Sequence, residues 1–431
     1  MTIADRSPVI RTRYREVIGC AVVGSLGILL LDALILRPGV NYIADSFEPL
    51  RSVAMHSMME RFQVSTFFRP FEYLVLVVAN NSYLPLWLGV SLLSVVGAAI
   101  LSGLACERLF DSQLSKAGWA ILGIANPLLF YLIIEPGAIS QCLCNLLFAG
   151  ALLAFISELR LLHDQSPHIC RADRIAMLLN ILAAALFFTK ETAVAAAVVL
   201  PAATALTRFK ERQLSHIFLL SLLIPVGAAG SWILIKLQFP FSTYITPGGA
   251  LATRYTPKLD PISWGQNFIL SLAFPVTPLP SSLLGFQILR PLWVAVALGS
   301  VALFTGLLLR ESVRKPKIVL PLLVIAASCA PMVLIHENEL YSSMLAPFAV
   351  ATVLLFGIRK FFRPSLAYGL MLYSAAFANG IVYSLGPDFD LLGLQRVPYS
   401  IYSKYYQHDP TCPISTTAHI GWDGTAFICM P

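Results

Sequence analysis

The chain has 431 residues, of which 57% are hydrophobic and only 12% charged, with a formal net charge of +7. Soluble domains carry about twice that share of charge, so a water-soluble globular core is excluded, and repeated apolar runs near 20 residues point to bilayer spans. The basic excess does not indicate nucleic acid, because Lys and Arg are scattered among short hinges; retention of cations on the cytoplasmic side of a membrane accounts for them.

Taken in order, the chain opens with Arg6, Arg11, Arg13 and Arg15 ahead of an apolar run. The run lacks a small-x-small cleavage site, which predicts an uncleaved first span near 17–36 rather than a removable signal peptide. A long polar segment follows, from Arg37 to Tyr83, holding Asp45, Glu48, His56, Glu60, Arg61, Arg69 and Glu72, with the string FFRPFE at 67–72. Further spans are predicted near 84–106, 117–134, 139–160, 175–189, 192–207, 216–237, 289–309, 318–335, 341–358 and 365–385, about eleven in all. The spans at 175–189 and 192–207 share the hinge Thr189–Thr192, as tightly paired helices would. Residues 266–285 carry Pro275, Pro278 and Pro280 and read as a re-entrant or interfacial piece. The fold class is therefore all-α, a polytopic membrane helix bundle over 1–385, with a large first extracytoplasmic loop and a short tail at 386–431.

The basic residues set the orientation. With the N-terminus in the cytoplasm, the segments 1–16, 106–116, 158–174, 208–215, 310–317 and 359–364 hold 19 of the 30 Lys and Arg. The C-terminal tail then lies outside the cytoplasm, where Cys412 and Cys429 are free to form a disulfide. The other cysteines considered, Cys20, Cys106, Cys142, Cys144 and Cys329, sit in or beside apolar runs and behave as small hydrophobes. The i, i+2 spacing of Cys142 and Cys144 argues against a metal pair.

On the outer face, ionisable groups converge from distant stretches: Asp45, Glu48 and Arg69; Glu135; Lys190 and Glu191; Arg254, Lys258 and Asp260; and His336, Glu337 and Glu339. A sugar transferase that uses a lipid-phosphate donor needs a carboxylate to deprotonate the acceptor and cations to hold the departing phosphate. Asp45 or Glu48 can supply the first, and Arg69, Lys190, Arg254 or Lys258 the second. Each has an ordinary alternative. Lys190 and Glu191 can be a hinge ion pair, Arg69 a helix cap, Glu48 and Asp260 solvated loop acids, and His336 an interfacial hydrogen-bonding group. No GxSxG, HExxH, Walker or GxGxxG string accompanies a suitable soluble domain.

The strings FFRPFE (67–72), TKETA (189–193) and HENELYSSMLAP (336–347) together resemble integral-membrane glycosyltransferases of the GT-C fold. The nearest pattern is that of the tetratricopeptide-bearing O-mannosyltransferases and their bacterial relatives. Asp45, Arg69-Pro70, Lys190-Glu191 and Glu339-Leu340-Tyr341 fall in the order of that family's strings. There are departures: Asp45 is followed by Ser46 rather than a second acid, Leu340 replaces an arginine, and no repeats follow the membrane part. The resemblance implies a GT-C-like bundle, a polyprenyl-phosphate sugar donor, an inverting transfer and a glycan, lipid or protein acceptor. Within it Asp45 is the expected base with Glu48 beside it, Arg69 and Lys190 hold the donor phosphate, and Glu135, Glu191, His336, Glu339 and Tyr341 line the site. No resident metal is expected, although outer carboxylates could hold one divalent cation. The location expected is a multi-pass integral protein of a bacterial inner membrane, in contact with membrane lipids and not with nucleic acid. The competing reading is a transporter or flippase of a lipid-linked or anionic substrate, which calls for broken midplane helices and paired halves.

Overall fold

The computed structural model describes residues 41–43, 69–75, 85–115, 118–119, 122, 132, 139–163, 169–238, 260–277, 279, 288, 290–334, 343–356, 396–398, 419–422 and 427–430. Within them the helices are α1 (Pro85–Phe110), α2 (Ile139–His163), α3 (Ile169–Phe187), α4 (Val194–Lys210), α5 (His216–Ser221), α6 (Leu223–Gln238), α7 (Pro261–Val276), α8 (Arg290–Arg314), α9 (Val319–Ser328), α10 (Pro331–Leu334) and α11 (Ala346–Phe356). Four short strands form two antiparallel ladders: β1 (Asn41–Ile43) with β2 (Arg396–Pro398), and β3 (His419–Trp422) with β4 (Phe427–Met430).

Among the described residues, five stretches are long and apolar enough to cross a membrane: Gly89–Phe110, Ile139–His163, Glu191–Lys210, His216–Ile235 and Arg290–Arg314. The protein is a helical membrane protein. The predicted spans at 84–106, 139–160, 175–189, 192–207, 216–237 and 289–309 each coincide with helix. The one at 318–335 is interrupted at Cys329 and Ala330, between α9 and α10, just before Pro331. The one at 341–358 is helical only from Ala346. Those at 17–36 and 365–385 lie outside the described residues. Helix α3 starts at Ile169, earlier than the apolar pattern indicates, because Arg171, Asp173 and Arg174 occupy its first turns.

Helix α2 is the axis of the bundle. Its apolar window is 72% buried, whereas those of the α5–α6 stretch and of α8 are 17% buried and expose leucines and isoleucines around their circumference. Exposure of that kind suits lipid, not water. Helices α1 and α2 run parallel with a constant offset. A Cβ on Gly97 would meet Leu146 at 2.7 Å, Gly150 lies against Leu101, Arg108 bonds Ser157, and Asp111 bonds Arg160. Small residues let the two backbones approach. Gly103 does the same for the connection, since a Cβ there would come within 2.5 Å of the Trp119 ring. Parallel neighbours need a return path between them. Trp119 packs level with Gly103, and the Leu132 carbonyl accepts from Cys142 Sγ at 3.3 Å. These two described points of the connection therefore lie at different levels along the pair.

The remaining helices alternate in direction. Lys315, ahead of α9, donates to the Phe110 carbonyl at the C-terminal end of α1, while Phe356 at the end of α11 stacks edge-on against Phe110 at 5.0 Å. The described parts of 106–116, 158–174, 208–215 and 310–317, which the basic count assigns to one side, thus meet at one end of the bundle. The hinge at 188–191 lies at the other. Helix α7 stays at that hinge end, because Asn267 donates to the Val333 carbonyl at 3.0 Å and Phe274 packs on Trp293 near the start of α8. Its start is fixed by Asp260, whose carboxylate accepts from the amides of Ile262 and Ser263 at 3.3 and 3.0 Å. Asp260 is an N-cap.

Candidate functional site

The hinge between α3 and α4 is built by a short break. Thr189 folds its hydroxyl back onto the Leu186 carbonyl at 2.9 Å, and Lys190 is extended (φ −157°, ψ 143°) before a single 3-10 turn, Glu191–Ala193. A β-conformation residue between two helices turns the chain without proline or glycine. Opposite the hinge lies the short helix 70–75, where Pro70 stands at the first helical position, one that needs no amide hydrogen. Arg69 immediately precedes it, and the Arg69 carbonyl receives the first helical bond from the Tyr73 amide at 3.0 Å.

Arg69 joins the two pieces. Its Nη2 and Nε both donate to Glu191 Oε2, at 2.9 and 3.2 Å, and its Nη1 donates to Glu72 Oε2 at 3.4 Å. Residues 122 positions apart are thereby held together. The Arg69 and Glu191 side chains keep 16% and 20% of their surface exposed, while Glu72 is buried. Lys190 is buried beside them at 6% exposure. It lies between the flanking helices, and its ammonium is pushed down to about 8, first by burial and then by the neighbouring Arg69 guanidinium, with Cys144, Glu72 and Glu191 opposing. Two cations and two carboxylates therefore share a low-dielectric end of the bundle, where charges interact strongly.

A polar strip on α2 lies under this cluster. Gln141 donates to Asn145 at 2.8 Å, Asn145 donates to Ser343 Oγ at 3.1 Å, and Cys144 Sγ faces Met344 Sδ at 3.7 Å. Residues 141, 144 and 145 fall on one helix face, and Cys144 and Asn145 from it meet the adjacent residues Met344 and Ser343. The string ending at Tyr341 is thus followed at once by a turn pinned to α2. Ser140 Oγ, Gln141 Oε1 and Thr192 Oγ1 are buried and find no hydrogen-bond partner among the described residues.

Of the residues expected from the sequence, the structure brings together Arg69, Lys190 and Glu191 and adds Glu72. Asp45, Glu48, Glu135, His336, Glu339 and Tyr341 lie outside the described residues, as do Arg254, Lys258 and Cys412. Strand β1 ends two residues before Asp45, and β4 carries Cys429 opposite Ile420. Among the described residues no group of three or more His, Cys, Asp or Glu is placed to hold a metal ion.

A second charged cluster, which sequence reading missed, sits at the opposite end. Arg208 donates from Nε to Glu158 at 2.5 Å and from Nη1 to Asp173 at 2.6 Å, with the Phe218 ring 4.4 Å away. All three charged side chains are at most 5% exposed. Lys190 and Arg208 are 18 residues apart along α4 and the turn before it, or about 27 Å at helical rise. That is close to the roughly 30 Å hydrocarbon thickness of a bilayer. The two clusters mark the two edges of a span.

Compared with protein-family models, curated proteins and solved structures, the chain matches none. The functional reading therefore rests on its own residues.

Proposed function

We propose that the protein is a membrane glycosyltransferase that moves a sugar from a polyprenyl-phosphate donor to a glycan, lipid or protein acceptor, with its site at the hinge end of the bundle. The observation that carries this reading is the meeting of Arg69, Glu72, Lys190 and Glu191 from two distant strings, with Arg69 and Glu191 still partly exposed. A guanidinium in this setting binds a phosphate oxygen pair as readily as it binds carboxylate. The donor phosphate takes the place of Glu191 on Arg69, and the Lys190 ammonium neutralises charge as the phosphate departs. Glu72 keeps the guanidinium oriented. The unpartnered hydroxyls of Ser140 and Thr192 and the amide oxygen of Gln141 are groups of the kind that bind sugar hydroxyls. Asp45 is the base in this scheme. It lies 22 residues ahead of the FFRPFE string in the sequence, with Glu48 three residues after it as the alternative or assisting carboxylate.

The test is transfer from radiolabelled polyprenyl-phosphate sugars by the purified protein, paired with mass spectrometry of surface glycans, glycolipids and glycoproteins from cells with and without the gene. Asp45→Asn keeps the shape and removes the charge, so donor binding persists while transfer falls about 100-fold or more, the usual size of general-base effects. A protein that bound no polyprenyl-phosphate sugar, and cells whose surface glycans were unchanged on deletion, would end the glycosyltransferase reading.

A further inference from the structure

At the Arg208 end the helix termini finish in exposed cations, and four of them gather on one flank. Helix α4 runs toward this end and α9 away from it, and the two pack together. The end of α4 carrying Lys210 and Arg212 and the start of α9 preceded by Lys317 therefore share one flank, with Arg314 three residues before Lys317 at the end of α8. All four are exposed. The nearby acids offset only part of this charge: Glu211 is exposed between Lys210 and Arg212, and the buried Glu311 pairs with Arg314 at 3.5 Å, so two acids stand against four cations. One to two helical turns toward the middle of the bundle the surface becomes apolar, with Leu206 74% exposed and Leu323 61% exposed on the same two helices.

A cationic rim on a lipid-facing apolar wall has two-part complementarity. We propose that this flank binds an anionic phospholipid, its phosphodiester headgroup on Lys210, Arg212 and Lys317 and its acyl chains along Leu206 and Leu323. The apolar wall distinguishes a lipid from a free anion, since solvent-exposed cations hold a small phosphate only weakly. Each cation near an anionic surface favours the charged headgroup by about fivefold. The site is independent of the hinge cluster.

The experiment uses full-length protein in mixed micelles of equal phosphatidylglycerol and phosphatidylcholine, with retained lipid counted by native mass spectrometry. Retained phosphatidylglycerol is expected to exceed phosphatidylcholine by about fivefold or more. The excess is expected to shrink as salt is raised and to fall to parity in Lys210→Gln/Arg212→Gln/Arg314→Gln/Lys317→Gln. Arg290→Gln, at the other end of α8, should leave it intact. Parity in the unaltered protein overturns the proposal, and so does an excess that survives the four substitutions. Competition by millimolar inorganic phosphate would identify a free-anion site and overturn it equally. Should the fourfold variant not fold, the salt series on the unaltered protein still decides, because a salt-insensitive excess is incompatible with exposed cations.

Discussion

The two ends of the bundle use the same device to different effect. At each, one arginine stands between two carboxylates: Arg208 between Glu158 and Asp173, Arg69 between Glu72 and Glu191. Arg208 is 1% exposed with ion pairs of 2.5 and 2.6 Å, whereas Arg69 is 16% exposed with pairs of 2.9 and 3.4 Å. The closed cluster fastens α2, α3 and α4 and is shut off from solvent. The open one also carries Lys190 and leaves the Glu191 side of the guanidinium reachable. Burial, not composition, separates a fastening from a site.

The largest expected effect tests the closed end. Arg208→Met leaves two carboxylates buried without a cation, a loss in the class of about 3–5 kcal/mol. The variant should fail to accumulate as folded protein. Adding Glu158→Gln and Asp173→Asn removes the stranded charge and should recover most of the folded yield. Size-exclusion recovery in detergent measures both, and a well-folded single variant would show that the cluster fastens nothing.

At the open end the same chemistry should split differently. Arg69→Met loses a pair whose side chains are 16% and 20% exposed, but Lys190 remains beside both carboxylates, so the cost should be about 2 kcal/mol or less and the protein should fold. On the proposed function, sugar transfer should fall by about 100-fold or more, because the cation assigned to the donor phosphate is gone. Parallel melting curves and transfer assays make the comparison. If Arg69→Met unfolded the protein as completely as Arg208→Met, the two ends would be the same kind of structure.

How much of this was legible in the sequence follows from the same contrast. FFRPFE and TKETA stand out because charge beside a span is rare, so Arg69, Lys190 and Glu191 could be read directly. Glu158, Asp173 and Arg208 looked like ordinary charges at helix ends on the basic side. Nothing in their local pattern shows that they turn inward and meet. The direction of each helix was readable from hydropathy and the basic count, and the termini of α1, α2, α4 and α8 gather as that count requires. The parallel register of α1 on α2 was not readable, because it depends on Gly97, Gly103 and Gly150 meeting particular partners. Asp260 could have been found as an N-cap from the Asp-Pro pair ahead of α7, since proline favours the first helical position.

A pH series sharpens the open end further. The Lys190 ammonium titrates near 8 in the folded protein, against about 10.4 for an ordinary lysine. Between those values the unfolded chain holds a proton that the folded chain has shed, so stability should rise with pH across that window. On the proposed function, donor binding should move the opposite way, weakening as pH rises through 8 and the ammonium is lost. Lys190→Met should flatten both slopes. A melting midpoint whose slope between pH 8 and 10 was the same in Lys190→Met would remove Lys190 from the account.

The smallest effect concerns how the closed end is finished. Asp111 and Arg212 follow helices α1 and α4 with φ of 52° and 53°, the left-handed conformation that ends a helix. For a residue with a Cβ this costs about 1 kcal/mol, which glycine avoids. Arg212→Gly should therefore raise the melting midpoint slightly, by the equivalent of about 0.5–1 kcal/mol, in neutral detergent where no anionic lipid engages its charge. Asp111 offers a control at the neighbouring helix end. Its carboxylate bonds Arg160 at 2.8 Å, which holds its pKa below the usual carboxylate range. Asp111→Gly relieves the same backbone conformation but gives up an exposed ion pair worth at most about 1 kcal/mol, so the two changes should nearly cancel at neutral pH. At a pH low enough to protonate Asp111 the pair is already lost, and the glycine variant should then gain on the unaltered protein. If Arg212→Gly lowered the midpoint instead, its side chain would be holding the turn, and the closed end would be fastened by more than the triad.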